Sequence, residues 1–308
     1  MSEAVEIGTG SLGETEDLLA RFAEAEPSRL TPAFFANLCG THSEAAAIHA
    51  CLSYVARPEG APAERQVSEW LAKSGSYIAM LLNPGFLPVP EARHAAVACR
   101  RHDPRFLSRL QQFLTEKQPP TPVILHALSI LGVFEDNDTL VPLLRILTHH
   151  ESEHVRSNAA KTLCKLRPNR MLVERQLHSP DARTRANAVE GLWGIKTKEA
   201  GDIFRMAASD AHHRVAVNAL VGLYYQGDKA VFERLVELSH HHSALHRAAA
   251  VWALGRLGDP RAIPALQAFG EDSRTLVRRK AADVIARLQA QAEQAAANAA
   301  ESGIPSAA

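Results

Sequence analysis

The sequence predicts an all-α protein with the architecture of an α-solenoid, a superhelix of helical hairpins stacked side by side. Three observations predict it. Six stretches align on Ile124, Arg156, Arg185, Ala216, Arg247 and Arg278, with steps of 32, 29, 31, 31 and 31 residues. Three residues after each origin stand Ala127, Ala159, Ala188, Ala219, Ala250 and Ala281; seven after it stand Leu131, Leu163, Leu192, Leu223, Leu254 and Ile285. Together with the columns one before and ten after the origin, these positions trace one stripe of an α-helix, in which the small alanine lets neighbouring backbones approach. Finally, aromatics make up only 6% of the chain, which suits many small, closely packed helices better than a β-sandwich.

In chain order, residues 1–13 are expected to be a disordered N-terminus. Residues 14–117 read as a helical N-terminal cap with worn repeats: ETEDLLARFAEA, PAFFANLCG, EAAAIHACLSYVA, ERQVSEWLAKSGSYIAMLL and EARHAAVACRRHDPRFLSRLQQFL. HDPRFL in the last of these repeats the GDPRAI of residues 258–263 and marks a worn copy at 91–114. Residues 118–288 are the repeat array. The six aligned stretches are its B helices, and VPLLRIL (141–147), MLVERQL (171–177), VFERLVEL (231–238) and IPALQAF (263–269) are A helices that precede them. Neither helix of a hairpin can bury its stripe alone, so neighbours must stack into a continuous core. The stretch ALGRLGDPRAIPAL (253–266) shows how one hairpin hands over to the next. Gly258 suits a left-handed helix end, Asp259 can cap the following helix, and Pro260 fits a first helical position. Residues 289–308, QAQAEQAAANAAESGIPSAA, are an alanine-rich tail expected to extend the last helix and then fray.

Thirty-four basic residues balance thirty-four acidic ones, which argues against a large basic footprint for nucleic acid. Residues 1–70 carry eleven acidic and four basic side chains, a modest asymmetry. The four cysteines (Cys39, Cys51, Cys99, Cys164) are scattered without a C-x-x-C pair, and at least three of them read as small core residues. MSEAVEIGTG has neither the basic nor the apolar region of a signal peptide, and no apolar run is long enough to span a bilayer, so a cytoplasmic setting without membrane contact is expected.

The unit helix–D-x-x-x-x-V-R-x-x-A-A-x-x-[LI] resembles the HEAT repeat, especially the short form first named from phycocyanobilin lyases. DSRTLVRRKAADVI at 272–285 matches it most closely, and the resemblance extends over residues 118–288. It implies a ladder in which an Asp of the A–B turn and an Arg near the start of B link successive repeats. The matching residues are Asp272 with Arg278, and Asp210 in a copy where the Arg position is Ala216. Arg156, Arg185 and Arg247 supply further rungs, although His150, Ser179 and His241 stand where their turns would carry Asp. The resemblance also implies functions, because HEAT-like solenoids serve as scaffolds, as bilin lyases and as alkylpurine DNA glycosylases with basic, aromatic-lined faces. Trp193, Trp252 and the run Arg278, Arg279, Lys280 are the residues that could serve the last of these. Di-iron hydroxylases of this type use several His-Glu dipeptides, whereas His150-Glu151 stands alone here.

The histidines are the only sharp candidates for chemistry. HESEH (150–154) has the form H-E-x-x-H, and HSALH (242–246) repeats its histidine spacing. On one helical face, His150 with His154, or His242 with His246, could ligate zinc. The register instead lays HESEH across a turn, so no metal, cofactor or catalytic residue is assigned. The reading is a non-enzymatic scaffold holding a protein partner on its concave B-helix face, with Arg156, Lys161, Arg185, Glu190, Arg247, Arg278 and Arg279 as contact residues. A lyase or protein-modifying subunit using the same surface is the alternative, and a nucleic-acid binder the second.

Overall fold

A computed structural model describes residues 12–25, 27–57, 63–74, 76–134 and 138–302, and no strand occurs among them. Of the expected disordered N-terminus only Leu12 and Gly13 are described, and they open the first helix; residues 1–11 lie outside. The chain forms two compact units, residues 1–162 and 163–308.

In the first unit the helices are α1 (Leu12–Glu24), α2 (Pro32–Thr41), α3 (Glu44–Val55), α4 (Glu64–Lys73), α5 (Tyr77–Leu81), α6 (Val89–His102), α7 (Phe106–Glu116), α8 (Thr121–Leu131), α9 (Val141–Leu147) and α10 (Glu153–Leu166), the last of which carries the boundary. Helix α3 packs on α6, α6 on α8, and α5 on α7, which is hairpin stacking in the part of the sequence where the period fades. The run 64–82 reads as one helix in the sequence but breaks between α4 and α5. Ser74 there is extended (φ −78°, ψ 128°), in a Ser-Gly-Ser stretch of weak helix formers.

The second unit continues with α11 (Arg170–Leu177), α12 (Ala182–Gly191), α13 (Lys198–Ala207), α14 (His213–Tyr225), α15 (Val231–Glu237), α16 (Ala244–Leu257), α17 (Ala262–Gln267) and α18 (Thr275–Ser302). Odd-numbered A helices pack against the B helix that follows, and the B helices stack as α12–α14–α16–α18. The fold is all-α, of the α-solenoid class. Every alanine of the repeating column is fully buried, and so are Leu131, Leu163, Leu192, Leu223 and Leu254. The starts are set locally: Asn169, Asp181 and Thr197 accept the N–H two or three residues on with their side chains. Helix α13, which the apolar runs did not single out, buries Ile203, Phe204 and Ala207 behind the Thr197 cap.

Two glycines are required by geometry. A Cβ on Gly222 would clash with the ring carbons of Phe204, so α13 and α14 meet this closely because no side chain stands there. Gly258 ends α16 in the left-handed region at φ 70°. The handover beyond it differs slightly from the sequence expectation. Pro260 and Arg261 form a turn, with the Arg261 N–H donating to Asp259 Oδ1 at 3.0 Å, and α17 begins at Ala262. The earlier Asp-Pro corner is built alike, with the Arg105 N–H donating to Asp103 Oδ1 at 2.9 Å. A tyrosine hydroxyl seals each corner: Tyr77 donates to Asp103 Oδ2 at 2.7 Å, and Tyr224 to Asp259 Oδ2 at 3.0 Å. Hydrogen bonds from the Arg261 side chain, working against partial burial and helped by the Arg261 N–H and Tyr224, hold the Asp259 carboxyl at about 2.

Candidate functional site

The arginines at the start of the B helices fix the A–B turns. Arg185 donates from Nε and Nη2 to the two carboxylate oxygens of Asp210 at 2.9 and 3.1 Å, and from Nη1 to the carbonyls of Ser179 and Pro180. Arg247 does the same with Asp272 and with the carbonyls of His241 and His242. Each rung therefore joins the Arg of one hairpin to the Asp of the next. Arg278 bonds the backbone carbonyl of Asp272 (2.6 Å) and the Thr275 hydroxyl, whereas the Asp272 carboxylate belongs to Arg247. The planar guanidinium suits this task, because it serves a carboxylate in bidentate fashion and still has a donor left for a carbonyl.

His150 and His241 replace the turn aspartates in kind. The His150 Nδ1 accepts from the Ser152 N–H at 3.0 Å, and the His241 Nδ1 from the Ser243 N–H at 3.1 Å, as Asp210 accepts from His212 and Asp272 from Arg274. His150 precedes α10 and His154 lies in its first turn, so HESEH does not present both rings on one helical face. His242 likewise precedes α16 and His246 lies in its first turn, where it stacks on His241. Among the described residues no three His, Cys, Asp or Glu side chains converge as metal ligands would.

The exposed side of the B helices in the second unit holds a groove of about 280 Å³. It is lined by the buried Val217 and Ala248, by Ala249, by the exposed Leu245, Leu276 and Trp252, by the polar His213 and Asn218, and by the charged Glu190, Arg214 and Lys280. These residues, His213 apart, fall two before, one, two or five after the repeat origin, a single helical stripe offset from the buried one. Leu245 and Leu276 are each 57% exposed and Trp252 39%, large apolar side chains that the fold itself does not cover. Trp252 is held in place by a stacked contact with Trp193 (6.1 Å between ring centroids). The Trp193 indole N–H donates to the Asn218 carbonyl at 2.9 Å, and the Asn218 amide donates to the Ala186 carbonyl at 3.0 Å. The Arg256 guanidinium lies 5.5 Å from the Trp193 ring centre. The first unit offers a shallower hollow, lined by Val97, Arg100, Arg101, Val133 and Phe134.

Of the contact residues expected from the sequence, Glu190 lines the groove and Arg279 is exposed beside Lys280. Arg185, Arg247 and Arg278 serve the turns as described, and Arg156 likewise donates to the carbonyls of His150 and Glu151. Lys161 lies half-buried on α10 in the first unit. Trp252 was singled out in the sequence only as an aromatic for a nucleic-acid face, and Leu245 and Leu276 were not picked out. The signal of the three together is present, a leucine two before the origin in the last two copies and a tryptophan five after it, but such residues equally serve a core.

No helix among the described residues is long and apolar enough to cross a membrane. No curated protein matches the chain in sequence. Among solved structures, human deoxyhypusine hydroxylase in complex with glycerol is similar over 78% of this chain and 96% of its own, at 15% identity and a TM-score of 0.32. The Escherichia coli protein YibA is similar over 91% of this chain and 99% of its own, at 16% identity and a TM-score of 0.35. Similarity at this level transfers no activity. The family described as HEAT repeats matches residues 205–286, the helices from the end of α13 into α18. The hairpins of that segment are HEAT repeats.

Proposed function

We propose that the protein is a non-enzymatic scaffold that holds a protein partner on the B-helix face of its second unit. The observation that carries this reading is the groove: buried Val217 and Ala248, three exposed large apolar side chains, and Glu190, Arg214 and Lys280 bringing charges of both signs to the same lining. That is the anatomy of a binding hot spot, with aromatic and aliphatic anchors inside a polar rim. The occupant is an amphipathic segment of the partner. Its apolar side chains seat on Leu245, Trp252 and Leu276, and its carboxylates lie over Arg214, Arg279 and Lys280. The rigid B-helix stack supports such binding by supplying a pre-organised surface. A reducing cytoplasm is the setting proposed, in keeping with the buried free thiols of Cys51, Cys99 and Cys164. Neither metal nor cofactor has a part in this reading.

Affinity capture from native extract, compared between the wild type and the variants W252A, L276D and M171D, tests it. Met171 is an exposed apolar residue of the A helix α11 and serves as the control. A partner retained by the wild type and by M171D but lost by the groove variants is then purified for direct titration. W252A should weaken its binding by about 30-fold, the loss of a hot-spot residue worth about 2 kcal/mol. A partner bound equally by all four proteins would refute the site.

A further inference from the structure

Between the two Arg–Asp rungs of the second unit a rung is missing. Residues 185 and 210 are joined, as are 247 and 272; the pair between them at the same spacing is Ala216 and His241. Neither guanidinium nor carboxylate stands there. Five imidazoles do. His212 stacks on His213 with ring centroids 4.4 Å apart, and His213 lies 5.6 Å from His246. His246 stacks on His241 at 4.0 Å, and His241 stacks on His242 at 4.2 Å. His212 caps α14 and His213 opens it; His241 and His242 belong to the turn between α15 and α16, and His246 to the start of α16. The rings thus form a seam between neighbouring hairpins.

This seam is built for neutral rings. The His212 Nδ1 accepts from the Arg214 N–H at 3.3 Å and the His241 Nδ1 from the Ser243 N–H at 3.1 Å, so neither of these nitrogens carries a proton. The His246 Nδ1 is buried without a hydrogen-bond partner. Neutral rings pack as aromatics, whereas imidazolium rings in face-to-face contact repel, and they do so more strongly where water is excluded.

We propose that the five-histidine seam is an acid-sensitive joint: protonation drives the α13–α14 and α15–α16 turns apart and loosens the stack at that point, while the rungs on either side hold. The charged groups that face it do not supply a free counter-ion. Asp210 is engaged by Arg185, and Arg247 by Asp272. Arg214 adds positive charge beside His213, and the groove that His213 borders is lined by both the Glu190 carboxylate and the Lys280 ammonium.

The surroundings of His213 and His246 agree with this geometry. Burial, then the neighbouring His212, His246 and Arg214, bring His213 down to about 4. Burial, then His241, His242 and His212, also lower His246. Unfolded histidines titrate near 6.5. The unfolded chain therefore binds more protons between about pH 6.5 and 4, and the stability present above that window is lost as pH falls through it. Because His213 also lines the groove, acid would alter the binding face as well; that consequence alone rests on the proposed function.

Thermal unfolding between pH 7.5 and 5.0, above the range where carboxylates titrate, reads the seam directly and needs no partner. The wild-type melting temperature should fall as pH is lowered. The double variant A216R/H241D, which restores the missing rung, and the double variant H213Q/H246Q should each remove at least half of that fall. Unchanged slopes in both variants would overturn the proposal. Proton NMR of the wild-type imidazoles provides a reading independent of variant folding. His213 and His246 should titrate below the ordinary histidine range, and rings that all titrate together near pH 6.5 would equally overturn it.

Discussion

Arg247 reaches forward from the first turn of α16 to Asp272, its Nε 2.6 Å from Oδ2 and its Nη2 3.0 Å from Oδ1, while Nη1 turns back to the carbonyls of His241 and His242. One guanidinium thus fastens its own A–B turn and the next one. Both partners are largely shielded from solvent, unlike the exposed pair Arg205–Asp202 on α13.

D272A should therefore lower the melting temperature clearly, and D202A should leave it nearly unchanged, because exposed ion pairs contribute little. The rungs add a second acid step. The Arg247 hydrogen bonds hold Asp272 below the usual carboxylate range; for Asp210, burial works in the opposite direction but Arg185 and the His212 N–H prevail. Their stabilisation is present above the unfolded carboxylate value of about 4 and is lost as pH falls through the folded values. A pH scan of D272A should lose part of this step and keep the histidine-dependent fall above it.

Ala219 and Ala216 sit on one helix one turn apart, but Ala219 is fully buried and Ala216 only partly so. A219F should destabilise the protein by about 1–3 kcal/mol or more through overpacking, and A216F by much less. Chemical denaturation of the two variants measures the difference. Equal midpoints would place the buried stripe elsewhere.

G222A tests the contact between α13 and α14. The added methyl has no room beside Phe204, and the loss should again be about 1–3 kcal/mol. Combining it with F204L should recover part of the loss, since the smaller side chain vacates the space. Additive losses in the double variant would show that the two positions do not share it.

Burial pushes the Cys164 thiol up to about 12, and burial raises Cys99 as well. In a C39S background, the remaining thiols should resist alkylation at pH 8 in the folded protein and react promptly in denaturant, because the thiolate is the nucleophile. Stoichiometric labelling under native conditions would contradict their burial.

The legibility of this chain has a physical boundary. The buried stripe could be read because close helix packing admits few side chains, so alanine recurs at one offset and leucine or isoleucine at another through all six copies. The Asp-Pro corners could be read too, since turn chemistry is local. Helix α13 was less legible because its apolar positions are interleaved with Lys, Glu, Asp and Arg.

By itself the sequence determined the hairpin repeat, the helical class and the place of the Asp-Pro corners, all of which rest on interactions within a few residues or on a periodic stripe. Only the tertiary structure decided which Arg serves which Asp, since Asp272 lies six residues from Arg278 yet gives its carboxylate to Arg247, twenty-five residues away. It alone also gathered Leu245, Trp252 and Leu276 around one groove and five histidines into one seam. Stacking sets these neighbours: residues about thirty positions apart become adjacent when hairpins pack, and no local preference records what a side chain will meet there.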